Sequence, residues 1–381
     1  MAGLAQPRPA AGLGNLGNTC YFNATVQMLA HCKQVLVRLV LDGGAEAALE
    51  PPDAAPLSHE LRRLLTRVWL ANASPTAPDG LPAPPAVVVP AELLRRVAQA
   101  RVLHDSVHAQ NDAHELYGAL VDRASAEMAA ARRRAGWGGP SEAPAARPPS
   151  ARLAALEAGW AAARRREEPL MLELFHGQLS CATACRGCGH AEPSDDVFSS
   201  LALALPAAQH EPTSAQRCLE AHLRPEDVAG WRCPACGEAG AGVPAVRRAA
   251  LWRAPSVLVL CLKRFRGADE AVLRTPVRAD PDLDLSALAA PGSPAAALLA
   301  SGARYRLAAA VCHAGSQGGG HYWACARLPG TDAWHVYNDS HAHALPGGAD
   351  AVPPDAAYML AYELVRGGVA PPTTRIGGRA G

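Results

Sequence analysis

Aromatic residues make up only 5% of this chain, and neither sign of charge dominates, with 36 Lys and Arg against 35 Asp and Glu. The resulting formal net charge of +1 argues against a polyelectrolyte surface, so nucleic acid is not an expected partner. No run of 18 or more apolar residues occurs, and the opening Met-Ala-Gly-Leu-Ala-Gln-Pro-Arg-Pro lacks the apolar stretch of a secretion signal. No membrane partner is expected either. A repeat of solenoid length is also missing. Cysteine, by contrast, is plentiful: eleven residues, an odd count without an export signal, argue for thiol chemistry and metal binding in a reducing compartment rather than a disulfide framework. The expected location is intracellular, cytoplasmic or nuclear. A hydrophobic content of 49% over 381 residues suffices for a sizeable core, while abundant Ala, Gly and Pro lengthen the loops.

Periodicity divides the chain. From Asn18 to Val40, Phe22, Val26, Leu29, Leu36 and Leu39 recur at helical intervals, with Asn18-Thr19 as the expected cap, so that Cys20 opens the helix. Leu57 to Val68, Leu93 to Val97 and Ala113 to Val121 predict further helices. Pro- and Gly-rich stretches at Asn72 to Pro90 and Gly136 to Ser150 read as exposed insertions, and the arginine triplets 132–134 and 164–166 as solvated helix ends. Beyond residue 170 short apolar or alternating runs take over: Ser256 to Leu262, Tyr305 to Cys312, His321 to Arg327, Trp334 to Tyr337 and Tyr358 to Leu364. A helical lobe followed by a β-rich lobe, with a cleft between them, is the simplest architecture.

In Leu13-Gly-Asn-Leu-Gly-Asn-Thr-Cys20-Tyr-Phe-Asn23, two glycines and three asparagines surround a cysteine at a helix start, where the dipole and free N–H groups favour a thiolate. The same N–H groups can donate to an oxyanion, and the Asn15 amide can add another donor. On this segment alone, a small buried cysteine is the blander alternative. A base is supplied by Gly319-Gly320-His321-Tyr322, where the glycines let backbone approach a substrate and His321 opens a strand. The strand Trp334 to Tyr337 then delivers Asn338 and Asp339, either able to accept from an imidazole N–H. Thiolate attack, proton donation by an imidazolium and a third side chain fixing the tautomer would form one constellation. His313 is open between shaping a substrate channel and packing. Two C-x2-C knuckles, Cys185 with Cys188 and Cys233 with Cys236, each offer two thiolates to one tetrahedral ion, with Gly189 and Gly237 suited to the wrapping turns. A structural zinc is expected there, with Cys181 and His190 as spare ligands. Cys32, Cys218, Cys261, Cys312 and Cys325 read as core, and His341 with His343 as a surface loop.

These segments resemble the ubiquitin-specific proteases, papain-like cysteine deubiquitinases, over roughly residues 12–365. Residues 12–21 resemble that family's cysteine box, and His313 with Gly319-Gly320-His321-Tyr322 its histidine box. Gln110-Asn-Asp-Ala-His-Glu-Leu116 and Leu262-Lys-Arg-Phe265 resemble two further signatures, in the same order. The resemblance implies an α+β, papain-like cysteine protease fold: a helical thumb (12–168), then a β-sheet palm and zinc-ribbon fingers (169–365), flanked by disordered segments at 1–11 and 366–381. It implies cleavage after the C-terminal glycine of ubiquitin, with Cys20, His321, Asn338 and Asn15 catalytic and Asp339 able to share the role of Asn338. Asp112, His313, Gly319, Gly320 and Tyr322 are expected to bind substrate, Asp112 meeting the basic ubiquitin tail. Ubiquitin and ubiquitinated proteins are the implied partners of a monomer. The same surface would suit an inactive ubiquitin-binding module or a protease for a ubiquitin-like modifier. Intact Cys20 and His321 argue against the first, whereas His114 in place of a glutamine keeps the second open.

Overall fold

A computed structural model of the chain describes residues 9–41, 56–71, 86–136, 150–206, 211–236, 242–266, 271–316 and 319–366. Most of the expected disordered start (1–8), most of the expected insertions 72–90 and 136–150 (72–85 and 137–149), Gly237 and the tail beyond 366 lie outside them.

The helices used below are α1 (Cys20–His31), α2 (Leu57–Leu70), α3 (Ala91–Ala100), α4 (Ala113–Arg134), α5 (Ala151–Arg166), α6 (Pro169–Phe175) and α7 (Ala215–Leu223). Apolar spacing predicts the first four, but α1 is shorter than its apolar run. Cys32 turns extended, at φ −74° and ψ 109°, and the chain restarts in a new direction at Lys33. All twelve residues of α1 are buried, polar ones included, so the helix is enclosed rather than amphipathic. Helix α4 begins where the Asp112 carboxylate accepts from the His114 and Glu115 amides at 2.6 and 3.1 Å, a side-chain cap of ordinary kind. Helix α5 is capped by Ser150, and α6 carries Pro169 in its first turn, where the missing N–H costs nothing.

The strands are β1 (Gly177–Cys185), β2 (Ala191–Pro193), β3 (Asp196–Phe198), β4 (Leu201–Leu203), β5 (Glu226–Trp231), β6 (Val243–Arg253), β7 (Val257–Leu262), β8 (Asp282–Leu283), β9 (Arg304–Ser316), β10 (Gly319–Arg327), β11 (Trp334–Asn338), β12 (His341–Ala344) and β13 (Ala357–Val365). Beside three two-stranded pairings of short segments, a five-stranded sheet runs β2-β1-β6-β5, with β3 also against β1, and an eight-stranded sheet runs β12-β11-β10-β9-β13-β7-β4, with β8 against β9. In the larger sheet β7 is buried at every position: Val257, Val259 and Cys261 face a core shared with α1, α2 and α4, while Leu258, Leu260 and Leu262 face a second core with α7. The helical half lies directly on one face of the larger sheet, through a continuous core that contains Phe22, Val26 and Leu29 of α1 together with Val311, Ala324 and Tyr337 of the sheet. Pairwise periodicity reveals which face of an element is apolar, not which element covers it.

Candidate functional site

The turn before α1 is built by its asparagines. Asn15 Oδ1 accepts from the amides of Gly17 and Thr19 at 2.9 and 3.2 Å and from the Thr19 hydroxyl at 3.2 Å. Gly17 and Asn18 are both left-handed, at φ 96° and 51°, a conformation that Gly and Asn adopt most readily. The expected cap is therefore corrected: the Asn18 amide donates instead to the His108 carbonyl at 3.1 Å, Thr19 Oγ1 accepts from the Leu16 amide, and no side chain caps α1. The amides of the first turn are left free to face a ligand. Cys20 is 5% exposed, and the backbones of Tyr322, Tyr21 and Cys20 itself act to lower its thiol pKa. Burial nonetheless pushes the thiol up more than these backbone groups pull it down, and Asp339 adds to the rise. The reading of a thiolate favoured by the helix start is thus outweighed by desolvation, and the resting sulfur is a thiol that needs a base.

His321 is the third residue of β10, two positions after its strand pairing with β9 begins at Gly319. Its Nε2 lies 2.7 Å from Asn338 Oδ1, a contact that places the ring proton on Nε2 and leaves Nδ1 as an acceptor. Asp339 goes elsewhere. At φ 50° it turns away from the strand, and its carboxylate accepts from Asn15 Nδ2 at 2.9 Å and Asn23 Nδ2 at 2.8 Å, while its carbonyl accepts from the Leu13 amide at 2.8 Å. Of the two expected imidazole partners, Asn338 touches His321 and Asp339 holds the Asn15 amide. Among the described residues no hydrogen bond joins His321 to Cys20.

Around these groups stands an aromatic wall. His313 packs against Tyr322 at 4.4 Å and edge-on to Phe265 at 5.3 Å, and Phe265 meets Tyr358 at 5.3 Å between ring centroids. Burial pushes the His313 imidazole down and the Tyr322 phenol up, so both stay neutral near pH 7. A side chain at Gly320 would run into the His313 ring and the Ala314 carbonyl, which makes glycine obligatory there. Asp112, besides capping α4, accepts from the Tyr358 hydroxyl at 2.5 Å. His114 Nε2 bonds Ser200 Oγ at 2.7 Å. Two residues outside the expected site join it: Tyr358, legible in sequence only as part of an apolar strand, and Gln110, whose Oε1 accepts from the Gly320 amide at 2.8 Å.

The four knuckle cysteines converge at the end of the smaller sheet, every sulfur within 4.8 Å of the others. Cys185 lies 3.7 Å from Cys236 and Cys188 3.6 Å from Cys233, close to the roughly 3.8 Å edge of a tetrahedral thiolate site with metal–sulfur bonds of about 2.3 Å. Gly189 takes the left-handed turn, at φ 76°, expected after the first knuckle. The Cys188 backbone amide and other hydrogen bonds draw Cys185 down to about 7, whereas the neighbouring thiols push Cys236 up to about 12. Four thiolates this close need a cation, and the donor set fits a metal ion. Cys181 and His190 do not belong to this cluster; Cys181 is buried beside Arg247. The remaining cysteines, Cys32, Cys218, Cys261, Cys312 and Cys325, are buried. His341 and His343 lie on the edge strand β12 rather than in a loop.

The sequence matches the family model described as ubiquitin carboxyl-terminal hydrolase over residues 11–362. It is 29% identical to human ubiquitin carboxyl-terminal hydrolase 2, over 93% of this chain and 55% of that protein, and 28% identical to bovine ubiquitin carboxyl-terminal hydrolase 21, over 93% and 61%. The chain thus spans a little over half the length of these curated relatives. The fold is similar to that in a SAGA DUB module of Ubp8, Sgf11, Sus1 and Sgf73 bound to monoubiquitin, with a TM-score of 0.66 at 20% identity over 93% of this chain and 69% of that one. A yeast SAGA DUB module gives a TM-score of 0.67 at 19% identity, over 93% and 68%. With the family model spanning the cysteine turn, the histidine hairpin and the knuckles between them, the chain belongs to the ubiquitin carboxyl-terminal hydrolase family.

Proposed function

We propose that this chain is a cysteine-type deubiquitinase, hydrolysing the isopeptide or peptide bond after the C-terminal glycine of ubiquitin and so removing ubiquitin from protein conjugates. The observation that carries the reading is the His321–Asn338 bond of 2.7 Å, beside Tyr322, whose backbone acts to lower the Cys20 thiol pKa. In this scheme His321 Nδ1 takes the proton of the Cys20 thiol, and the sulfur attacks the glycine carbonyl. The imidazolium, held by Asn338, then protonates the leaving amine, and water completes hydrolysis of the thioester by the same base. The Cys20 amide and the second N–H of Asn15 stabilise the oxyanion. Asn15 is suited to this because three donors fix its oxygen and Asp339 fixes one of its two N–H groups.

Ubiquitin and its conjugates are the proposed partners, with the tail threading past Gly319, Gly320, His313 and Tyr322. Gly319 and Gly320 add no side chain to the wall of that path, which suits a tail that itself ends in glycines. Asp112 contributes negative charge beside that path while its oxygens are held by Tyr358 and the start of α4. The cysteine quartet would hold zinc as a structural ion, which ties the two knuckles together and offers no open coordination position. The domain proposed for this activity is 12–365, acting as a monomer inside the cell. None of the eleven cysteines forms a disulfide, which suits a reducing compartment, and no helix among the described residues is long and apolar enough to cross a membrane.

The test is reaction of the purified protein with ubiquitin carrying a C-terminal electrophile, beside a Cys20→Ala control. A covalent adduct in the parent alone supports nucleophile and modifier together. Retained ubiquitin binding without an adduct would favour a binding module, and an adduct only with another modifier's probe would change the substrate.

A further inference from the structure

The nucleophile and the base come from segments some 300 residues apart, so something must set the gap between them. The loop from Arg101 to Asp112 bonds to both. On the nucleophile side, its Val107 carbonyl accepts from the Tyr21 hydroxyl at 3.0 Å, its His108 carbonyl accepts from Asn18 at 3.1 Å, and its Asn111 amide donates to the Tyr21 oxygen at 3.2 Å. Asn111 also donates to the Ser106 and Ala109 carbonyls, at 2.9 and 3.1 Å, which braces the loop against itself. On the base side, the next residue back, Gln110, accepts the Gly320 amide at 2.8 Å.

That bond falls on a glycine-rich part of the hairpin. Gly315, Gly319 and Gly320 crowd the end of β9 and the start of β10, with Gly315 at φ 131°, and the local pairing there is Gly315 with Gly320 and Ser316 with Gly319. Glycine-rich backbone holds its place poorly without an external contact. Gly320 is followed at once by His321 and then by Tyr322, whose ring packs on His313 at 4.4 Å. A shift at Gly320 would therefore move the base and the wall beside it together.

We propose that Gln110 is a positioning residue for the reaction, its side-chain oxygen fixing Gly320 at the start of β10 to the loop that grips α1, and so fixing His321 opposite Cys20. The proposal rests on the assignment of Cys20 and His321 as nucleophile and base. Gln110 acts through Gly320 and touches neither reacting group. Its amide is exposed, so the contact is worth what an exposed neutral hydrogen bond supplies to alignment, not to folding.

The experiment compares the parent with Gln110→Ala and Gln110→Glu, the latter keeping the accepting oxygen. Two readouts are taken: kcat and KM on a fluorogenic ubiquitin substrate, and the pH profile of Cys20 alkylation by iodoacetamide, which needs no ubiquitin. Removal of the acceptor is expected to lower kcat by about three- to tenfold with KM within about twofold, and to move the alkylation profile toward that of His321→Ala. Gln110→Glu is expected to regain most of the parental rate and profile. An unchanged alkylation profile in Gln110→Ala, or a change confined to KM, would overturn the proposal by making Gln110 at most a substrate contact. Should the parent fail to cleave ubiquitin at all, the alkylation profiles still decide the role of Gln110, so the two failures are told apart.

Discussion

Asn338 and Asp339 are neighbours in sequence, and one backbone angle sends them to different partners. Asn338 ends β11 in the extended conformation and meets His321, whereas Asp339 turns left-handed at φ 50° and clamps Asn15 and Asn23. A strand followed by a turn was legible at this point, with both residues as candidates. The φ of a single residue was not, because hydrophobic spacing carries no trace of it. The two side chains should consequently fail differently. Asn338→Ala is expected to lower kcat and to flatten the pH profile of Cys20 alkylation, since the imidazole loses its orienter. Asp339→Ala is expected to lower kcat by about a hundredfold, as Asn15 loses its second anchor, while the alkylation profile keeps its shape. Parallel alkylation and turnover assays on the two variants separate these outcomes. A further residue was invisible from sequence: His31, the last of α1, fully enclosed between Trp69 and Tyr337, with its Nδ1 bonded to the Gln27 carbonyl and its Nε2 without a partner. Burial holds its pKa down at about 4, against an ordinary value of 6.5. An unfolded His31 takes its proton first as the pH falls, so stability present above pH 6.5 is lost progressively towards pH 4, by about 3 kcal/mol at most. Urea midpoints at pH 7.5 and 5 should converge in His31→Phe relative to the parent.

At the scale of elements, the knuckles were readable and the sheet bearing them was not. Paired C-x2-C spacing identifies the quartet without any knowledge of the fold. The strand β6, by contrast, reads Val-Pro-Ala-Val-Arg-Arg-Ala-Ala-Leu-Trp-Arg, with mixed burial and no clean alternation. Strand β2 is exposed throughout, and most of β5 is exposed or half-buried. A sheet end with so little apolar cover has to be held by something other than a core, and the quartet at its tip is the available device. The purified protein is accordingly expected to contain about one zinc per chain, and Cys188→Ser to lose it. Metal analysis by mass spectrometry checks the first point. The same analysis of Cys188→Ser checks the second, and thermal melts of the parent, with and without a strong chelator, test whether the ion holds the sheet. A chelator-treated protein that melts at the parental temperature would mean that the sheet holds itself together.

Across the whole molecule, the segment Leu262-Lys-Arg-Phe265 was legible as a family signature but not as a structural centre. Arg264 is 1% exposed, and among the described residues no carboxylate is bonded to it. Its guanidinium donates instead to four carbonyls: Ala357 at 2.5 Å, Leu273 at 2.9 Å, Thr275 at 3.0 Å and Pro354 at 2.8 Å. Burial draws the group down to about 10, still a cation near neutral pH. The four carbonyls belong to the segment after the signature and to the approach to β13, so one side chain joins stretches some 90 residues apart just behind Phe265, which rests on His313. Chain order could not disclose this, since nothing in a run of loop residues marks carbonyls that will converge. Replacing Arg264 by Met fills the volume but strands four buried acceptors, each worth about 1–3 kcal/mol when left unpaired. The expected loss, after partial relaxation, is about 4 kcal/mol, read as a fall in the urea midpoint. Arg264→Lys should recover only part of it, because an ammonium gathers its three donors at one point and cannot span acceptors set around a planar fork. A Lys variant as stable as the parent would show that charge alone fills the cage. The predicted order of parent, Lys and Met instead makes the fork geometry the reason an arginine stands here.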